Sequence, residues 1–289
     1  MKRFAIILFF ISGLAVFVKA QTPLAVSRSY TNEDMQLVET YFQSMQSKKT
    51  LPFNELIIET AQFFLNTPYV ASTLEGEQEH LIVNLREMDC TTFVENILAL
   101  TYTVRQDDCS FEMFCTHLKT LRYRTGNEFE YTDRLHYFSD WIFENERKGL
   151  VQDVTKRIGG ESYLLNLSFM STHPDSYSAF KAHPEYIDVI RAKEQDISTR
   201  TGYAMIPKAE ISNCAKGMKN GDIVCFVTKI EGLDVTHVGF VHWENDTLRL
   251  IHASSGAKKV VIDPKPLQQY AEGVKSTIGV MIVRPQIAF

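Results

Sequence analysis

The 289-residue chain is distinguished first by motifs it does not contain. It has no Cys-x-x-Cys, which excludes zinc ribbons and thioredoxin-type redox sites. His-Glu-x-x-His is absent, so the common zinc-protease helix is missing. Ser254-Ser255-Gly256 does not lie in a Gly-x-Ser-x-Gly elbow, which argues against a serine hydrolase. No cluster of basic residues is present, and without one nucleic acid and anionic polymers are poor partners. Repeats, low-complexity tracts and a Pro/Gly/Ser-rich linker are also lacking, so nothing marks a boundary between domains. Beyond the N-terminus no apolar run is long enough to span a bilayer.

The N-terminus itself reads as a leader. Lys2 and Arg3 precede an apolar run over residues 4–18, and Val18-Lys19-Ala20 fits the small-residue cleavage rule. Residues 1–20 are therefore expected to be a signal peptide cut before Gln21, leaving residues 21–289 as a single domain without a membrane span. No cysteine follows the apolar run, so a lipid anchor is not expected, and export to a periplasm or to the outside is. Removing Lys2, Arg3 and Lys19 from the 30 basic residues leaves 27 against 35 acidic, a balance of −8. The five cysteines are Cys90, Cys109, Cys115, Cys214 and Cys225. An odd number leaves one thiol unpaired. Cys109–Cys115 and Cys214–Cys225 are candidate local pairs; four buried thiols is the equally open reading, and Cys225 lies in an apolar strand.

The N-terminal half has helical period. Residues 31–49 carry capping residues at Thr31 or Asn32 and an apolar stripe at Leu37, Val38, Tyr41 and Phe42. A second helix is expected over 53–65, ended by Asn66-Thr67-Pro68-Tyr69, and a short strand over 80–85. Asp89 is a helix N-cap, followed by a helix from Cys90 to about Arg105 with one buried stripe at Phe93, Val94, Ile97, Leu98 and Thr101. Residues 107–210 read as a largely helical insert. From Gly221 onward the period changes to two. Five strands are expected at 222–228, 236–243, 248–253, 259–262 and 279–284, closely spaced as in an antiparallel meander. Helices first and sheet last make an α+β pattern.

The chemistry concentrates in three residues. Cys90 stands at the first turn of a helix, where unpaired N–H groups and the positive dipole end favour a thiolate. His237 shares a strand face with Gly239, Val241 and Trp243. If Asn245-Asp246 are the centre of the hairpin turn, Gly239 falls opposite His252, and the two histidines lie diagonally on one face. A thiol nucleophile, an imidazole base and a second imidazole that orients the first are what acyl transfer requires. Helix N-terminal N–H groups would receive the oxyanion. A metal held by Asp89, Cys90, His237 and His252 matches no standard zinc spacing.

Asp89-Cys90-Thr91-Thr92-Phe93-Val94-Glu95, Gly232-Leu233-Asp234-Val235-Thr236-His237-Val238-Gly239 and Ile251-His252-Ala253-Ser254 together resemble the NlpC-like cysteine peptidases, specifically their N-acetylmuramoyl-L-alanine amidase-like branch. The resemblance runs over roughly residues 69–284. It implies a papain-like core, with the nucleophile helix packed on an antiparallel sheet, and a metal-free reaction with no cofactor. The substrate it implies is a peptidoglycan fragment (a muropeptide), cut in the periplasm between the lactyl group of N-acetylmuramic acid and L-alanine. It assigns Tyr69 and Asp89 to the substrate site, and the branch-specific stretch around His136, Tyr137 and Trp141 to substrate contact. Ala71-Ser72 stand where common members have glycines, and Thr91-Thr92 follow Cys90 instead of Ser-Gly. These departures count against the commoner cut between γ-D-glutamate and the diamino acid. That endopeptidase activity and a non-catalytic muropeptide-binding protein are the alternatives.

Overall fold

The computed structural model describes residues 28–76, 78–125 and 130–287, and the expected signal peptide at 1–20 lies outside them. The chain begins β1 (Arg28–Ser29), α1 (Asn32–Met45), α2 (Phe53–Phe63), β2 (Leu81–Ile82), α3 (Cys90–Val104) and α4 (Phe111–Arg122). Helix starts fall where the capping residues predict. Thr31 and Asp34 form a reciprocal capping box on α1, and the Ser110 hydroxyl accepts the Met113 N–H at the head of α4. The expected strand at 80–85 shrinks to β2, which pairs in parallel with β1.

Helix α3 is the centre of the molecule. Its spacing predicts one buried stripe, yet every residue from Thr92 to Val104 is buried. The reason is that α1, α2 and α4 and the sheet enclose it. Its polar side chains survive burial because each has a partner. The Thr101 hydroxyl donates to the Ile97 carbonyl at 2.7 Å and lies 3.1 Å from the Thr60 hydroxyl, and Thr103 donates to the Ala99 carbonyl. Glu95 accepts from Arg122 Nε at 2.7 Å, both side chains being 2% exposed. The Phe93 ring meets Phe240 edge-on at 5.8 Å and docks α3 on the sheet.

The rest of the chain runs α5 (Phe138–Arg147), β3 (Val151–Asp153), β4 (Glu161–Ser162), α6 (Phe169–Thr172), α7 (Ser178–Ala182), α8 (Tyr186–Thr199), β5 (Ala204–Pro207) and α9 (Ile211–Cys214), then β6 (Ile223–Thr228), β7 (Val235–Glu244), β8 (Thr247–Ser254), β9 (Lys259–Ile262), α10 (Leu267–Gly273) and β10 (Thr277–Pro285). Eight strands form one sheet in the order β4-β5-β10-β6-β7-β8-β9, with β3 also on β10. Its paired strands are antiparallel, as the α+β reading requires. One expectation is corrected. The last strand does not continue the meander; the connection through α10 is long enough for β10 to return beside β6. The insert is largely helical, with α4 to α8, and its short strands β3, β4 and β5 extend the sheet beyond β10. With two to four residues each, these strands are too short for a period-two signal.

The β7–β8 hairpin has the expected register. Asn245 and Asp246 adopt φ of 47° and 61°, the left-handed pair of a type I′ turn. Glu244 pairs with Thr247 and Phe240 with Ile251, which carries Gly239 opposite His252. A Cβ at Gly239 would lie 2.7 Å from the Ile251 carbonyl oxygen and 2.9 Å from His252 Cβ, so only glycine fits. The outer edge of β9 is closed by the segment before α3. Asn66 N–H donates to the Val260 carbonyl, Val260 N–H to Thr67, and Tyr69 N–H to Lys258, at 2.9, 2.8 and 2.9 Å.

All five cysteines are free, so neither candidate pair forms. Cys109 Sγ turns back onto the carbonyls at the end of α3, 3.4 Å from Thr103 O, while Cys115 is buried on α4. Cys225 is sealed inside β6, whereas Cys214 is half-buried on α9. Thiol titration of the denatured chain, purified without reductant, should count five reactive groups; three or one would restore a disulfide. Gly239→Ala should overpack the hairpin and cost about 1–3 kcal/mol, read as a lower urea midpoint at unchanged m-value.

Candidate active site

Cys90 occupies the first position of α3 because Asp89 caps the helix. The Asp89 carboxylate accepts the Thr92 N–H at 2.8 Å, and the Thr92 hydroxyl accepts the Asp89 N–H at 2.9 Å. The thiol is thereby held against β7, close enough for the backbone N–H of Val238, one peptide bond beyond His237, to favour its charged form. The hydroxyl and N–H of the adjacent Thr91 act in the same direction. These donors favour a thiolate, but burial and the adjacent Asp89 carboxylate outweigh them and push the thiol up to about 12. The helix-terminus expectation of a thiolate is thus corrected. The residue that starts the helix is the one that repels the charge.

His237 and His252 meet as the register predicts. His237 Nε2 and His252 Nδ1 are 2.6 Å apart, one ring nitrogen donating to the other, with the rings edge-on at 81°. His237 is half-buried and His252 fully buried. Burial and the neighbouring His252 lower His237 to about 3, and burial lowers His252 to about 4. Both imidazoles are neutral at pH 7. Such a pair can take up a proton only when a charge develops beside it.

A cleft of about 340 Å³ opens next to this group. Asp89 and Thr91, on either side of Cys90, line it together with His136, Tyr137, Arg134 and Tyr177. Tyr69 stands close enough to Cys90 and Asp89 for their charges to act on its hydroxyl. Of the residues expected to touch substrate, Tyr69, Asp89, His136 and Tyr137 therefore gather here. His136 Nε2 is spent on the Tyr131 carbonyl at 2.7 Å. The Tyr137 hydroxyl donates to Glu194 at 2.6 Å and accepts the Met170 N–H at 2.9 Å, so only its ring faces the cleft wall. Trp141 is a correction. It is 0% exposed and stacks on Phe138 at 4.8 Å in the core, because α5 turns that face inward.

Several neighbours escaped the sequence reading. Tyr270 on α10 packs on both imidazoles, 5.2 Å from the His252 ring and 6.0 Å from His237. Its signal was the Leu267, Tyr270, Ala271 spacing of a short helix. Asp263 Oδ2 lies 3.7 Å from His252 Nε2, and only an Asp-Pro turn pointed to it. Arg134 on the cleft wall is held by Glu75 at 2.9 Å and Glu79 at 3.3 Å. The Glu95–Arg122 pair also lines the cleft; its signal was a charge on each of two otherwise apolar helix faces.

The chain is similar to several proteins of known structure. Three structures of an N-acetylmuramoyl-L-alanine amidase from Bacteroides uniformis resemble the chain. One is 35% identical, covering 81% of this chain and 99% of that one with a TM-score of 0.77. A Bacteroides fragilis structure, provisionally described as a xylanase, is 38% identical over 78% of this chain and 99% of its own, with a TM-score of 0.74. A Legionella pneumophila protein at 22% identity covers 86% of this chain and 94% of its own with a TM-score of 0.66, which speaks to the fold alone. Among curated proteins none matches. The family model described as AmiA-like, N-acetylmuramoyl-L-alanine amidase-like, matches residues 59–279, from α2 through β10, and the chain belongs to that family.

Proposed function

We propose that this chain is a cysteine amidase with a papain-like catalytic arrangement. It hydrolyses the amide between the lactyl group of N-acetylmuramic acid and L-alanine in muropeptides. The observation that carries this reading is the thiol of Cys90 packed against Val238 on β7, next in sequence to His237 of the hydrogen-bonded His237–His252 pair, with Asp89 and Thr91 on either side of it lining a cleft. Family membership and the amidase structures at 35% identity support the bond assignment. The leader-like N-terminus and the acidic balance favour a periplasmic setting, with soluble fragments as substrates.

In this mechanism Cys90 Sγ attacks the lactyl carbonyl carbon while His237 takes the thiol proton. The N–H groups at the head of α3 receive the oxyanion. His237 then returns the proton to the departing L-alanine nitrogen, and water cleaves the thioester with His237 again as base. Because the resting thiol and imidazoles are neutral, proton transfer accompanies the attack, and the enzyme does not store a thiolate–imidazolium pair. His252 orients His237 from its far nitrogen. Glycoside hydrolysis finds no support here. It needs two available carboxyl groups, whereas Asp89 caps α3, Glu95 is bound to Arg122 and Glu75 to Arg134.

Incubation with defined muropeptides should release peptides that begin with L-alanine, seen by mass spectrometry, and Cys90→Ala should abolish release. L-Ala-γ-D-Glu as product would make the chain an endopeptidase instead. Tight muropeptide binding with no turnover would make it a binding protein. The neutral resting thiol has a pH signature. Burial raises its pKa and makes it a weaker acid, so alkylation of Cys90 by iodoacetamide without substrate should rise about tenfold per pH unit through the alkaline range. Hydrolysis should vary far less between about pH 6 and pH 9, because the base is already deprotonated. An alkylation plateau at neutral pH would indicate a stored ion pair and refute the concerted transfer.

A further inference from the structure

His252 is fully buried, and its Nε2 has no hydrogen-bond partner among the described residues. An unpaired ring nitrogen at that depth costs about 1–3 kcal/mol. It also leaves the tautomer undetermined, although Nδ1 of the same ring is committed to His237 at 2.6 Å. The polar group facing Nε2 is the carboxylate of Asp263, with Oδ2 at 3.7 Å.

The loop holding Asp263 is anchored on three sides. Asp263 N–H donates to the Leu250 carbonyl at 2.8 Å, at the head of the segment of β8 that carries His252. Lys265 N–H donates to Asp263 Oδ1 at 2.9 Å. The Arg249 guanidinium donates to the Pro264 carbonyl. With Oδ1 engaged by Lys265, the oxygen turned to the imidazole is Oδ2.

We propose that Asp263 is a positioning residue of the active site. Its Oδ2 accepts a hydrogen bond from His252 Nε2–H, which leaves His252 Nδ1 as an acceptor for His237 Nε2–H and so keeps the lone pair of His237 Nδ1 available to the Cys90 thiol. The proposal rests on the reading of Cys90 and His237 as the reacting pair. The 3.7 Å gap closes with a small rotation of the carboxylate, and contacts of this kind are often long before substrate binds. In the substrate-free geometry burial still governs, holding His252 at about 4. The carboxylate gains importance once the His237 imidazolium forms, when His252 receives a stronger hydrogen bond and passes the polarisation outward. The groups around His252 are His237 on β7, Asp263 in the β9–α10 loop and Tyr270 on α10. Tyr270 is pushed up to about 12 by burial, Asp263 and Cys90, so it stays neutral. Asp263 is thus the anionic member of this set.

The test is Asp263→Asn, with histidine tautomers read by long-range nitrogen–proton NMR at pH 7. The asparagine oxygen keeps the Lys265 hydrogen bond, and its NH2 takes the place of Oδ2. It then donates to His252 Nε2, which drives both rings to the Nδ1–H tautomer. Wild type should show Nε2–H on His252 and His237, and the variant Nδ1–H on both. Turnover in the variant should fall on the order of 100-fold in kcat with KM unchanged, the loss expected of a wrong tautomer. Asp263→Ser, which keeps a short oxygen for the turn but leaves Nε2 unpaired, should retain the fold and give mixed tautomers. Unchanged tautomers in the folded variants, or Nδ1–H on His252 in wild type, would overturn the proposal. This readout needs no turnover. Loss of the amidase reading would appear separately, as activity surviving Cys90→Ala.

Discussion

The docking of α3 on β7 is the constraint from which the rest of the site follows. A helix buried on all sides cannot slide or rotate without opening contacts along its whole length, so its first residue has a fixed place. The Asp89–Thr92 capping box sets where that helix begins, and Phe93 against Phe240 sets which strand it meets. The thiol therefore reaches the Val238 N–H as a consequence of core packing, with no flexible loop involved. On the sheet side the same rigidity comes from the I′ turn and from Gly239, whose missing Cβ lets β7 and β8 approach closely enough for the two imidazoles to touch.

Electrostatics in this arrangement oppose one another. The helix terminus, Thr91 and Val238 all favour charge on sulfur, while burial and the capping carboxylate disfavour it. The balance falls on the neutral side, and the imidazoles are neutral for the same reason, loss of water. A site of this kind is quiet until a ligand arrives and polarises it. That restraint also lowers the reactivity of the thiol toward adventitious oxidants.

Much of this was legible in local sequence. Thr31, Asp89 and Ser110 announce helix starts through capping chemistry, which depends on residues three apart. Asn245-Asp246 announces the hairpin, and the period of two then brings His237 and His252 together by counting. What escaped depends on distant partners. Glu95, Asn96 and Thr103 look like the wet side of α3, because Arg122, Asn84 and His117, which make their burial tolerable, lie elsewhere along the chain. The strands β3 to β5 are too short to show alternation. Trp141 sits in a stretch whose aromatic content suits a cleft wall and a core equally well, and only the orientation of α5 decides between them. The acidity of Cys90 is not legible locally, because it depends first on burial and then on the charge of the same carboxylate that caps the helix.

The segment that brings Tyr69 to the thiol has a second consequence. By pairing residues 66–69 along β9, the chain occupies the hydrogen-bonding groups that a terminal strand would otherwise offer to another molecule. At the opposite border, β4 is only Glu161–Ser162, a charged stub. Both margins of the sheet are thus blunted against stacking between copies. One of the two guards also carries Tyr69 to the thiol, so loosening it would expose the protein to self-association and disturb the chemistry together.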